Sequence, residues 1–204
     1  MKTKYDGDLS GSKYEFLQAK ITKTTASSLK LSWKKIRSAD GYMIYGNRCG
    51  KKNAYQHILT IKKPNSTSYT MKKLKKGAYY KYFVVAYKNV GGGKAVITIS
   101  KTIHSTTKGG KYGNAKSVKI TKLGTSKSTS QISLKPGKSA LIKGKSIKKD
   151  KKIRSHRGLA YESTKPSVAA VTKKGKIKAK SKGTCKIFVY AQNGVAKVIR
   201  VTVK

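Results

Sequence analysis

The sequence predicts an all-β chain of two tandem β-sandwiches joined by a short Gly/Lys-rich linker, and three observations carry this. Apolar and polar residues alternate with period two in short runs, the spacing that puts one side of a strand in a core and the other in water. Turn residues punctuate these runs, among them Asp40-Gly41, Pro64-Asn65-Ser66, Gly91-Gly92-Gly93, Pro136-Gly137 and Asn193-Gly194. The alternation is interrupted by Thr106-Thr107-Lys108-Gly109-Gly110-Lys111-Tyr112-Gly113-Asn114, leaving two stretches of about 100 residues, an ordinary domain size.

Residues 1–15 carry Asp6, Asp8 and small residues without periodicity and read as a flexible lead-in. The first sandwich is expected over 16–107. Leu17, Ala19 and Ile21 share a face, and Leu29, Leu31 and Trp33 repeat the pattern after a turn at Thr24–Ser28. Tyr42–Tyr45, Tyr55–Ile61 and Tyr69–Met71 read as further strands. The longest run, Leu74 to Tyr87, opens with the turn Lys75-Lys76-Gly77 and becomes rich in aromatic and β-branched residues, which fit a pleated surface. Tyr80, Tyr82, Val84 and Ala86 fall on one face; Tyr79, Lys81, Phe83, Val85 and Tyr87 fall on the other. One last strand is expected around Ile97, Ile99 and Ile103.

A linker is expected at 108–115 and a second sandwich over 116–204. Val118 and Ile120 open it, followed by Ile132 and Leu134, then by Ala140 and Ile142. Lys143 to Lys152 reads as a charged loop. Leu159-Ala160-Tyr161, Val168 to Val171, Ile177 to Ala179, Cys185 to Val189 and Ile199 to Val203 read as strands. Asn193-Gly194 between the last two is the strongest hairpin signal of the chain.

The combination of Leu74, Gly77 and Tyr80 resembles the tyrosine corner of an immunoglobulin-like sandwich, in which the tyrosine hydroxyl bonds back to upstream backbone. With Leu29-Lys-Leu31-Ser-Trp33 and Ala39-Asp-Gly-Tyr42-Met-Ile44-Tyr45, the stretch from about Phe16 to Thr107 resembles a fibronectin type III domain, similar to copies in secreted proteins of Gram-positive bacteria. Tyr161-Glu-Ser163-Thr-Lys-Pro-Ser-Val168-Ala-Ala-Val171, Gly175-Lys-Ile177-Lys-Ala179, Lys182-Gly183-Thr-Cys185 and Val201-Thr-Val203 resemble a bacterial immunoglobulin-like domain of group 2, spanning about Lys116 to Lys204. The family's usual Trp-x-Ser is Tyr161-Glu-Ser163 here, and Cys185 stands where a small residue is common. The ending is similar to surface proteins of gut-type Clostridia. These resemblances imply two tandem immunoglobulin-like β-sandwiches. Trp33, Tyr42, Leu74, Tyr80, Tyr161 and Cys185 are then scaffold positions. No Arg-Gly-Asp occurs in the chain, so integrin-type adhesion has no motif to carry over.

Lys+Arg number 49 against 6 Asp+Glu, a formal net charge of +43. All but Arg37, Arg48, Arg154, Arg157 and Arg200 are lysine, a hydrated point charge rather than a bidentate fork. That balance points to diffuse attraction toward anionic polymers such as cell-wall teichoic acid or acidic glycans, with nucleic acid bound only non-specifically. A lineage with generally lysine-rich surface proteins explains the charge equally well. No apolar run is long enough to span a bilayer, and no membrane insertion is expected. The polar start Met1-Lys2-Thr3-Lys4-Tyr5-Asp6 does not resemble a signal peptide, so the chain is expected to be a piece of a longer secreted protein or one never exported by the usual route. Cys49 and Cys185 lie in different expected domains and read as two unbridged thiols.

No catalytic, cofactor or metal site is expected. Asp6, Asp8, Glu15, Asp40, Asp150, Glu162 and the histidines His57, His104 and His156 do not pair at a metal-ligand or acid–base spacing. Gly91-Gly92-Gly93-Lys94 precedes a strand, not the helix that a phosphate-cradling loop needs. One feature exceeds scaffold needs: Tyr79, Lys81, Phe83 and Tyr87, with Met43 and Tyr45 of the adjoining strand, are expected to form an aromatic, lysine-edged face fit for glycans or a protein partner at the sheet face or edges. The plainer reading is that cross-strand aromatic pairs stiffen the sheet. The expected function is that of a non-enzymatic extracellular module pair, a stalk or adhesion segment of a bacterial surface protein. The alternatives are a bacteriophage virion or tail module for host attachment, and accessory domains of a larger secreted enzyme.

Overall fold

The computed structural model describes residues 16–148 and 154–204, so the expected lead-in at 1–15 lies outside the described residues. The chain divides into two compact units: 16–114 with 154–156, and 115–148 with 157–204, among the described residues.

The first unit is a sandwich of two antiparallel sheets. One contains β1 (Ala19–Thr24), β2 (Leu29–Trp33) and β5 (Ser68–Met71), in the order β1-β2-β5. The other contains β3 (Gly41–Arg48), β4 (Gln56–Ile61), β6 (Tyr79–Val90) and β7 (Gly93–Ile99), in the order β4-β3-β6-β7, with β8 (Ile103–Thr106) also paired to β6. Alternation works as the residues dictate. Leu29, Leu31 and Trp33 of β2 are buried while Lys30 is exposed, and Ile36, Tyr42, Ile44, Tyr82 and Val84 close the same core. The indole of Trp33 meets Tyr42 edge-on, with ring centroids 5.3 Å apart.

The single last strand expected here is two. The chain leaves the β6 ladder at Ser100, whose backbone amide donates to the Val84 carbonyl while its hydroxyl oxygen accepts the Val84 N–H at 3.0 Å. A side chain thus substitutes for one rung, and pairing resumes at Tyr82↔Ile103.

The second unit also has two sheets. β9 (Ala115–Leu123), β11 (Ser139–Lys148), β13 (Ala169–Val171) and β14 (Lys176–Ala179) lie in the order β13-β14-β11-β9. β10 (Gln131–Leu134), β12 (Ala160–Ser163), β15 (Gly183–Tyr190) and β16 (Ala196–Val203) lie in the order β10-β16-β15-β12, with β10 parallel to β16. Leu123, Ile177, Ile187, Val189, Ile199 and Val201 are fully buried between them. β15 and β16 join at Asn193-Gly194, with Gly194 at φ 82°. The buried Asn193 side chain accepts from the Ala115 amide and donates to its carbonyl, anchoring the start of β9.

Two further sequence expectations change. Lys143 to Lys148 is not loop but the second half of β11, paired with β9 from Ile142↔Leu123 to Lys148↔Ala115. Its alternation was hidden because the half-buried Gly144 and Ser146 are not apolar and the exposed positions, Lys143, Lys145 and Lys148, are lysine. Residues 108–114 are not a free spacer, being bonded into the first unit. Gly77 donates to the Lys108 carbonyl, and Asn114 bonds Thr24, Ser105 and Thr106. No helix among the described residues is long and apolar enough to cross a membrane.

Candidate functional site

The Tyr80 hydroxyl accepts the Lys75 amide proton at 2.9 Å, and Leu74 packs on the core. The Tyr42 hydroxyl accepts the Ile36 amide proton at 2.9 Å. The Tyr161 ring lies over Gly175, where an added Cβ would come within 2.7 Å of it. Cys185 is buried, and burial pushes its thiol pKa up; this outweighs the opposing help of the Ser163 hydrogen bond, the Ala169 backbone hydrogen bond and the Lys165 charge.

The aromatic face of β3 and β6 splits into three parts. Met43 and Tyr87 are buried with Val85, as the floor of a small apolar cluster outside the main core. Tyr45 and Phe83 are partly exposed and stack nearly parallel at 5.1 Å. Tyr55 meets Phe83 edge-on at 4.9 Å, and Lys81 Nζ lies 4.5 Å from the Tyr55 ring centroid. The aromatic surfaces expected to receive a ligand are largely occupied by one another. Tyr79 belongs elsewhere: it stacks on His156 at 4.7 Å and meets Tyr112 at 4.9 Å.

A lysine face emerges in the second unit. Lys143 and Lys145 of β11 lie directly opposite Lys122 and Lys119 of β9. Lys176 and Lys178 of β14 flank the same strand, opposite Leu141 and Ser139. All six lysines are exposed. Like charges directly opposite on neighbouring strands are destabilising, so this arrangement works against the sheet that carries it. The other sheet repeats the motif once, with Lys186 opposite Arg200.

A third grouping went unseen in sequence. Cys49 follows β3, His104 lies on β8, and His156 lies just past the bridge between Tyr112 and Arg154, all within the first unit. Their donor atoms lie within 4.8 Å of one another. The separations, 55 residues between the first two, match no local ligand motif, so only the fold brings them together.

Taken together, the architecture defines a pair of immunoglobulin-like β-sandwich modules whose distinctive chemistry lies on their surfaces. Residues 17–102 match the model of the fibronectin type III domain and residues 128–203 that of the bacterial Ig-like domain (group 2). The chain is thus a fibronectin type III domain followed by a bacterial Ig-like group 2 domain, both non-catalytic modules typical of bacterial surface or secreted proteins. Among solved structures, the fibronectin type III domain of human fibronectin type III domain containing protein 3 is 20% identical, with 48% of this chain and 88% of that chain covered and a TM-score of 0.37. A computationally redesigned β-sandwich protein is 18% identical, with 44% and 85% covered and a TM-score of 0.35. No curated protein sequence matches the chain.

Proposed function

We propose that the chain is a stalk or adhesion segment of a bacterial surface protein, held by charge to anionic wall polymers or acidic glycans. The observation that carries this reading is the lysine face: Lys143 and Lys145 opposite Lys122 and Lys119, flanked by Lys176 and Lys178. A polyanion lying along these strands neutralises like charges carried by side chains whose Cβ atoms are about 5 Å apart. Lysine ammonium groups serve this role because they attract phosphate or carboxylate repeats without demanding one fixed geometry. Duplex nucleic acid would satisfy the same charges without any sequence being read.

The test is retention on immobilised teichoic acid and on an acidic glycan. Retention is expected at low salt and is expected to collapse at about 0.5 M salt, where the screening length falls well below its value of about 8 Å at physiological ionic strength. Replacing Lys119, Lys122, Lys143 and Lys145 by glutamine is expected to abolish most of it. Retention that survives high salt, or that the four substitutions leave unchanged, overturns the reading.

A further inference from the structure

We infer that Cys49, His104 and His156 form a binding site for a borderline-soft divalent metal ion of the Zn²⁺ class.

The donor set decides the class of ion. A thiolate and two imidazoles suit zinc and its neighbours, whereas calcium or magnesium requires a cage of oxygens. The spacing agrees. With metal–sulfur and metal–nitrogen distances of about 2.3 and 2.0–2.1 Å, a tetrahedral ion places those two donors about 3.5 Å apart. Cys49 Sγ and His104 Nδ1 lie 3.5 Å apart. All three donors fall within 4.8 Å, so a ring adjustment on the order of 1 Å brings the widest pair to a tetrahedral edge.

The three residues are held by independent parts of the fold. The Cys49 amide donates to the Tyr79 carbonyl at 2.9 Å, fixing the thiol beside the start of β6. His104 lies on β8, opposite Lys81 of β6. The His156 ring lies flat on Tyr79, with an interplanar angle of 3°, and Tyr112 meets it edge-on at 5.4 Å. Behind it, Gly113 donates to the Arg154 carbonyl and Arg154 to the Lys111 carbonyl. Aromatic walls and backbone pairing thus orient His156 toward His104, the ring centroids 6.3 Å apart. All three ligand residues are partly buried, which limits competition from water while leaving a path for the ion. Three protein donors leave one tetrahedral position for water or an outside ligand. On binding, the Cys49 thiol releases its proton to solvent and the sulfur lone pair enters the metal–sulfur bond.

The test uses the untagged full chain. Titration with Co²⁺ is expected to give one ion per chain, with intense tetrahedral visible bands and a sulfur-to-cobalt charge-transfer band that Zn²⁺ abolishes. Cys49→Ser is expected to remove the charge-transfer band, and His104→Ala and His156→Ala to weaken Zn²⁺ binding by more than about tenfold. In the unmodified protein, Zn²⁺ is expected to slow alkylation of Cys49 by iodoacetamide by at least about tenfold, as mapped by mass spectrometry. Only weak octahedral bands, equal binding by variants that keep the parent melting temperature, or alkylation of Cys49 unaffected by Zn²⁺ would each overturn the site.

Discussion

The Tyr80 hydroxyl and the Lys75 amide, five residues apart in sequence, meet at 2.9 Å across a turn whose Gly77 lies at φ 64°. This bond ties the entry of β6 to the segment carrying Leu74, which packs on the core of the fibronectin type III domain. Tyr80→Phe keeps the ring and removes the acceptor, leaving a part-buried N–H without its partner. The expected loss is about 1–2 kcal/mol, an order-of-magnitude figure for one such bond. For a domain of about 100 residues each kcal/mol lowers the melting temperature by roughly 4–8 °C. Calorimetry of the first domain's transition checks this, and an unchanged midpoint would show that water replaces the bond at no loss.

The Tyr45–Phe83 stack invites the opposite question, whether it serves a ligand or the sheet. Tyr45 and Phe83 are cross-strand partners on β3 and β6, and such aromatic pairs contribute roughly 0.2–1 kcal/mol to a sheet. Tyr45→Ser and Phe83→Ser are expected to lower the first domain's melting temperature and to leave retention on an acidic glycan unchanged. Loss of retention at a preserved melting temperature would return this face to the list of binding surfaces.

Most of the scaffold was legible from residue type and spacing. Tyr80, Tyr42 and the Asn193-Gly194 hairpin stand out because each performs a local task that few residues can. What escaped depended on partners distant in sequence or on inward positions held by residues that are not apolar. The second half of β11 looked like loop because Gly144 and Ser146 replace the apolar residues that normally mark an inward face. Residues 108–114 looked like a spacer because the Asn114 side chain reaches partners as far back as Thr24. Met43 and Tyr87 were expected on an open surface and instead lie buried, since Val96 and Ile99 of β7 pack against their cluster. Cys49, His104 and His156 carried no signal at all, because a cluster assembled from three separate segments leaves no spacing to read.

The paired lysines of β9 and β11 tie stability to charge. Lys122→Glu places a carboxylate opposite Lys143 and exchanges a repulsive pair for an attractive one. A gain of about 0.2–1 kcal/mol is expected for the second domain, together with weaker retention on teichoic acid. Added salt is expected to stabilise the parent protein more than this variant, since only the parent has that repulsion left to screen. Chemical denaturation with urea at two salt concentrations measures both effects. A variant less stable than the parent at low salt would refute the claim that the face works against its own sheet.

Cys185 gives a pH dependence whose sign follows from its burial. Its folded thiol holds its proton more tightly than an ordinary thiol near 9.0, so at alkaline pH the folded chain binds more protons than the unfolded one. The stabilisation from this group is therefore complete below the unfolded value and is lost as pH rises above it, through the higher folded value. Tyr82 behaves likewise in the first domain, its hydroxyl pushed up chiefly by burial and further by Tyr80 and Cys49. Other groups of the chain respond to the same change of pH, so the parent alone is a poor test. The comparison with Cys185→Ala removes their contribution, because both proteins share them. At pH 7 the substitution is expected to cost about 1 kcal/mol for the atom removed from a packed core. By pH 10 the gap is expected to narrow, since the parent has lost part of its advantage and the variant had none to lose. Urea midpoints of the second domain at the two pH values decide the matter. A gap that stays constant or widens would mean that the thiolate is as well accommodated inside the fold as outside it.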